Sequence, residues 1–217
     1  MDDVEEIFEN DYGGHDFFHT LRVMRIAKYI AKIEGANTEI VELASLLHDV
    51  DDYKITGRNM DSVENACKLM NKYNIDKQVQ LQVTDIIKTV SFKANDTEIP
   101  SSLEGKVVQD ADRLDALGAI GIARAFAYGG SRGNMIYNPN SKPNLNMNSD
   151  EYVKNKTTTI NHFYEKLLLL KDMMNTETGY NIAIKRDQFM RDFLEEFYRE
   201  WNNIWKICKG VFTGLLV

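Results

Sequence analysis

Apolar residues along this chain recur three or four positions apart far more often than they alternate, a period that predicts helices and no sheet. After Gly13-Gly14, residues His19, Val23, Ile26, Ile30 and Ile33 fall on one stripe of a helix that Gly35 ends. Asn37 or Thr38 caps a second helix, EIVELASLLHDV, with Val41, Ala44 and Leu47 on its buried side. DSVENACKLMNKYN and DKQVQLQVTDIIKTVSF read as two more. Beyond the turn NDTEIPSS, Ser101 or Ser102 opens a long apolar helix, LEGKVVQDADRLDALGAIGIARAFAY. Two amphipathic helices, YVKNKTTTINHFYEKLLLLKDMMN and NIAIKRDQFMRDFLEEFYREWNNIWKIC, are separated by TETGY. In the last of them Phe189, Phe193, Phe197, Trp201 and Trp205 repeat every four residues, as a core stripe or the face of a homodimer.

Between the helical blocks the composition changes abruptly. GGSRGNMIYNPNSKPNLNMNSDE is rich in Gly and Asn, aperiodic, and holds two of the three prolines. Such a stretch is long for a loop in a compact domain and reads as a lid or as disordered chain. No internal repeat appears. The pattern predicts an all-α, single-domain protein over residues 1–217. Its core spans about 14–127, the loop about 128–150 and the C-terminal helices about 151–208.

The net charge of −7 argues against a broad basic face for polymeric nucleic acid, while leaving room for a small phosphorylated molecule held by a few local cations or a metal. Cys67 and Cys208 have no metal-like spacing and read as small apolar residues of a reducing compartment. The start, MDDVEEIFEN, is acidic and lacks the pattern of a secretory signal, and no apolar run approaches the ~20 residues that span a bilayer. A cytoplasmic protein is expected, with no membrane partner.

The chemistry centres on four histidines: His15, His19, His48 and His162. GHDFFH spaces two of them as in the zinc-protease helix H-E-x-x-H, but Asp16 is a methylene shorter than the glutamate that serves there as base. His48 and Asp49 end the second helix. His19 lies near the start of the first, and a short antiparallel connection brings the two ends together. Further on, Asp110, Asp112 and Asp115 interrupt an apolar helix, and carboxylates are costly to bury there without cations or donors. His162 lines a pocket with Tyr164 and Lys166, or simply packs. Arg113 and Arg124, on the acid-bearing helix, contact phosphate or pair with Asp110 or Asp115. Arg58 and Arg132 are weaker candidates for phosphate, and GGSRG lacks the flanks of a phosphate loop.

HTLRV, LLHDVDDYK and DADRLDALGA, in that order, resemble the H…HD…D signature of the HD-domain metal-dependent phosphohydrolases, in particular their small stand-alone bacterial members. GIARAFAYGG and NHFYEKLLLLKDMMNTETG extend the resemblance over most of the chain. It implies a helical HD-domain fold with His19, His48, Asp49 and Asp112 as ligands to one divalent ion. Two imidazoles with two carboxylates suit Mn²⁺ foremost, with Mg²⁺, Fe²⁺, Co²⁺, Ni²⁺ or Zn²⁺ as alternatives. Asp52, about one turn after Asp49, is the candidate for positioning or deprotonating the attacking water, with Asp51 its rival. His15, Arg22, Lys54 and Arg113 are the candidate substrate contacts. The implied activity is metal-dependent phosphohydrolysis of a small substrate, a nucleoside or deoxynucleoside triphosphate in the first instance. A nucleotide-sensing module without turnover is the alternative from another class. An oxygenase with two irons would need more histidine ligands than His15 and His162 supply.

Overall fold

Asp16 and Gly35 bracket the first long helix, and each does so by a local mechanism. The Asp16 carboxylate accepts the His19 backbone N–H at 2.7 Å, and Gly35 closes the other end at φ 77°, a conformation that favours glycine. The computed structural model describes residues 2–8, 16–51 and 63–202. The described residues form ten α-helices and no strand: α1 Asp2–Ile7, α2 Phe17–Glu34, α3 Thr38–Leu47, α4 Glu64–Lys72, α5 Lys77–Val90, α6 Leu103–Asp115, α7 Gly118–Ser131, α8 Ser149–Lys154, α9 Thr159–Glu165 and α10 Glu177–Trp201. Short 3₁₀ segments lie at Ala94–Asp96 and Leu167–Met173.

Helix α2 packs most extensively against α3 and α6. Val23, Ala27 and Ile30 of α2, Val41, Ala44 and Leu47 of α3, and Val107, Val108, Ala111 and Leu114 of α6 are fully or almost fully buried there. Each buried Val or Leu contributes about 1.5–3 kcal/mol through apolar burial. The expected stripe on α2 is corrected at one position. Ile33 is exposed, and Ala27 and Ala31, closer to the 3.6-residue period, take the buried side.

The long helix expected over 103–128 is two helices. Gly118 adopts φ 73°, and a Cβ on Gly121 would lie 2.1 Å from the Ala116 carbonyl oxygen, so the chain turns where glycine permits it. The segment expected as one helix over 152–175 is also divided. Thr158 turns its hydroxyl to the Asn161 N–H and caps α9, as Thr does at helix starts. In α10 the aromatic line splits: Phe193 and Phe197 are half-buried against the core, whereas Phe189 and Trp201 are about half exposed. Trp205 lies outside the described residues, as does Cys208.

The Gly/Asn-rich stretch is fastened down. Thr159 and Ile160 donate backbone N–H groups to Met135 and Ile136 carbonyls, and Asn161 donates to Ser141. Glu165, itself buried, accepts from Asn144 N at 3.0 Å, Thr157 Oγ1 at 3.0 Å and Asn155 Nδ2 at 3.2 Å.

Candidate metal centre

Three helix ends meet at one point. His19 comes from the first turn of α2, His48 and Asp49 from the C-terminus of α3, and Asp112 from the last turn of α6. His19, His48 and Asp49 are buried and offer ligand atoms all within 4.8 Å of one another. His19 Nε2 stands 3.3 Å from Asp49 Oδ2 and 3.3 Å from His48 Nε2, and His48 Nε2 is 3.4 Å from Asp49 Oδ2. Asp112 is outside that trio but closes the cluster from α6, its Oδ1 3.4 Å from His19 Nε2 and 3.8 Å from His48 Nε2. Its side chain is 26% exposed, the open side of an otherwise buried site.

The outer ring nitrogens decide what this cluster can bind. His48 Nδ1 lies 2.8 Å from the Ser45 carbonyl and His19 Nδ1 lies 2.8 Å from Asp115 Oδ2. Both partners only accept, so both Nδ1 atoms carry hydrogen, and in the neutral rings both Nε2 atoms present lone pairs. Two lone pairs and two carboxylate oxygens then point inward with no donor among them. A cation is required, either protons or a metal. Ligand atoms about 2.1 Å from one ion lie roughly 3.0 Å apart at right angles and roughly 3.4 Å apart at the tetrahedral angle. The spacings among His19, His48 and Asp49 fit a first-row divalent ion or Mg²⁺, with Asp112 facing the two imidazoles from the open side.

Without a metal, protons fill that role. Burial alone would pull His19 below the ordinary 6.5, but its hydrogen bonds to Asp112, Asp115 and Asp49 outweigh it and raise the ring to about 10. Burial also opposes the charge on His48, and the charges of Asp49 and Asp112 overcome it, so His48 is raised too. Asp112, despite partial desolvation of its half-buried carboxylate, is held well below the carboxylate range by the two imidazoles. For His19 the folded value lies above the unfolded one. The stability it gives the metal-free protein is therefore complete below about pH 6.5 and lost as pH rises through about 10. A metal must displace those protons. Mn²⁺ binding at pH 7 is expected to release at least about one proton, with affinity rising roughly tenfold per pH unit. Calorimetry in two buffers of different ionisation enthalpy measures this, and equal heats in both would refute it.

Beside the cage runs a cavity of about 610 Å³ that includes Asp112 in its wall. Gly121, Arg124, Ala125, Tyr128 and Gly129 of α7 and Arg132 at its C-cap line it at helical spacing, so it follows one face for roughly 16 Å at 1.5 Å per residue. A Cβ on Gly129 would sit 2.2 Å from Thr159 Oγ1, so the glycine is what lets α7 and α9 approach. Arg113, Arg124, Arg132, Lys154, Lys156 and Lys166 all line the cavity, against the acids Asp112 and Glu165. Six cationic side chains of an acidic protein thus line the cavity that has Asp112 in its wall.

The remaining sequence candidates fall into distinct places. Arg113 is buried on the cavity wall. Its Nη1 bonds the Met173 carbonyl, and its Nε has no partner among the described residues. Arg22 is committed to Asp115 through Nε at 2.8 Å and Nη2 at 3.0 Å, its side chain 30% exposed. Asp51 is buried and accepts Asn65 N and Ala66 N, each at 2.9 Å, so its carboxylate serves the start of α4. His162 and Lys166 line the cavity, with His162 stacked at 6.4 Å on Tyr152. Asp52, His15, Lys54 and Arg58 lie outside the described residues. The sequence did not single out Lys154 and Lys156, which no motif marks, or the junction role of Asp115, two of whose partners, His19 and Arg22, are more than 90 residues away.

A family model described as "HD domain" matches residues 16–117. The Bacillus subtilis protein YpgQ is 38% identical over 199 residues, 91% of this chain and 89% of its own. Its crystal structure in complex with ADP superposes with a TM-score of 0.72 at 35% identity, over 92% of this chain and 96% of that one. A Lactobacillus plantarum structure gives 0.84 at 39% identity, and an HD-superfamily hydrolase from Bacillus thuringiensis gives 0.71 at 39%; each pairing covers 93% of this chain and 94% of the other.

Proposed function

This chain belongs to the HD-domain family, and on that premise we propose that it is a divalent-metal-dependent phosphohydrolase acting on a small phosphorylated substrate, in the first instance a nucleoside or deoxynucleoside triphosphate. The observation that carries the proposal is an all-acceptor cage of His19, His48, Asp49 and Asp112 opening onto a cavity lined by six cationic side chains. The ADP complex of YpgQ supports a nucleotide as ligand.

Bound in the cage, a Mn²⁺ or similar ion supplies Lewis acidity and acidifies a water. The chain's own groups supply the rest. Arg113 and Arg124, which line the cavity with Asp112, are our candidates to hold phosphoryl oxygens, with Arg132, Lys154 and Lys156 as further cations of the same wall. Asp52 is our candidate to take the proton from the attacking water at a carboxylate oxygen, and His15 and Lys54 our further candidate phosphate contacts. Arg22, forked onto Asp115, keeps both N–H groups of Nη1 and the second N–H of Nη2 for substrate.

Purified protein incubated with a nucleotide panel and Mn²⁺ should release phosphate or pyrophosphate. Asp49→Ala should abolish turnover. Asp51→Ala should retain it and lower stability by about 1–2 kcal/mol, since it strips a capping carboxylate from two helix N–H groups. Nucleotide binding without any product would instead place the chain among sensing modules.

A further inference from the structure

Asp115 accepts four hydrogen bonds beside the cage, one of them from the outer nitrogen of His19. Its Oδ2 accepts His19 Nδ1 at 2.8 Å, Arg124 Nη1 at 2.9 Å and Arg22 Nη2 at 3.0 Å, while Oδ1 accepts Arg22 Nε at 2.8 Å. It is 1% exposed. Three elements thus meet on one carboxylate: α2 through His19 and Arg22, α6 through Asp115 itself, and α7 through Arg124. Arg124 also lines the cationic cavity.

We infer that Asp115 is a positioning residue, which holds the metal-ligating imidazole of His19 and the groove arginine Arg124 in register from one carboxylate. The inference rests on the proposed metal site. By fixing hydrogen on Nδ1 it leaves Nε2 as the ligating atom, and its charge raises the basicity of that nitrogen. By anchoring Arg124 it sets where an anion in the groove sits relative to the cage. Arg22 forks onto the same carboxylate from α2, which favours the orientation that faces His19 Nδ1.

The test compares Mn²⁺ dissociation constants of wild type, Asp115→Asn and Asp110→Asn, well below their unfolding temperatures. Asp110 is the control: a buried carboxylate on the same helix whose partners are Asn175 and Thr176. Asp115→Asn is expected to weaken Mn²⁺ by roughly 10- to 100-fold, as loss of a partner behind a ligating histidine does. Asp110→Asn should stay within about twofold, because it touches neither imidazole. Asp115→Asn that binds as tightly as wild type, or Asp110→Asn weakened equally, overturns the inference. Wild type that binds no Mn²⁺ overturns the cage, and the inference with it. Should Asp115→Asn fail to fold, nitrogen NMR of wild-type protein loaded with Zn²⁺ decides. Hydrogen on His19 Nδ1 with metal at Nε2 supports the assignment, and the reverse tautomer refutes it.

Discussion

His48→Ala is expected to strip the protein of its divalent ion and to cut turnover by roughly a thousandfold or more. His48 is 5% exposed, fixed by the Ser45 carbonyl, and its Nε2 is one of the two nitrogen donors of the cage. Removing it leaves one imidazole and two carboxylates, a set with one donor fewer that holds a divalent ion far more weakly. An ion acting on a phosphoryl group contributes several kcal/mol to the transition state, and each 1.36 kcal/mol is tenfold in rate, about three decades together. Metal content by elemental analysis and the rate with the best nucleotide of the panel measure the two losses separately. His15→Ala is expected to keep its metal and chiefly alter substrate use. Equal metal loss in both variants would mean that the ligating histidine of GHDFFH had been misassigned.

The second large effect is on stability and lies outside the cage. Asp110→Ala is expected to destabilise the fold by about 3–4 kcal/mol and to lower Tm by about 10 °C. The Asp110 carboxylate is fully buried and accepts Asn175 N at 2.8 Å, Asn175 Nδ2 at 2.9 Å, Thr176 N at 2.8 Å and Thr176 Oγ1 at 2.7 Å. It fastens α6 to the start of α10. A Cβ on Gly179 would sit 2.6 Å from Asp110 Oδ2, so only glycine leaves room for this bond cluster. Burial raises the Asp110 pKa above 3.8 against all these donors, so the carboxylate itself gives up much of what the bonds gain. Its deletion is nonetheless costly, because two buried backbone N–H groups are left without partners. Thermal unfolding at neutral pH checks this. A Tm within about 3 °C of wild type would show that water replaces the carboxylate without penalty.

The helices that carry the cage were legible because their signals are local. The apolar stripe ending at Gly35 and a cap at Asn37 or Thr38 marked both helices, and the short link between them makes an antiparallel pair, so His19 and His48 meet. That Asp16 caps α2 was visible only in the structure. Asp112 was legible through its motif and its awkward place among apolar residues. The break at Ala116–Gly118 was not, since DALGAIGIARAF has the composition of a good helix. Its glycines are used for φ and for close approach, and Arg186 packing over Gly118 becomes visible only in three dimensions. Asp110 and Asp115 look alike in sequence, two acids one turn and a half apart. One braces α10 and the other braces His19, a distinction set entirely by partners more than 60 residues away. The cationic groove was similarly invisible, because Lys154 and Lys156 come from a polar stretch in which nothing marks a wall.

Glu165 has a consequence for how the groove can open. Three separate points of residues 144–157, Asn144, Asn155 and Thr157, hang on this single carboxylate. Lys154 and Lys156 lie between these anchor points, so loosening of the Glu165 carboxylate is expected to shift both cations together rather than one at a time.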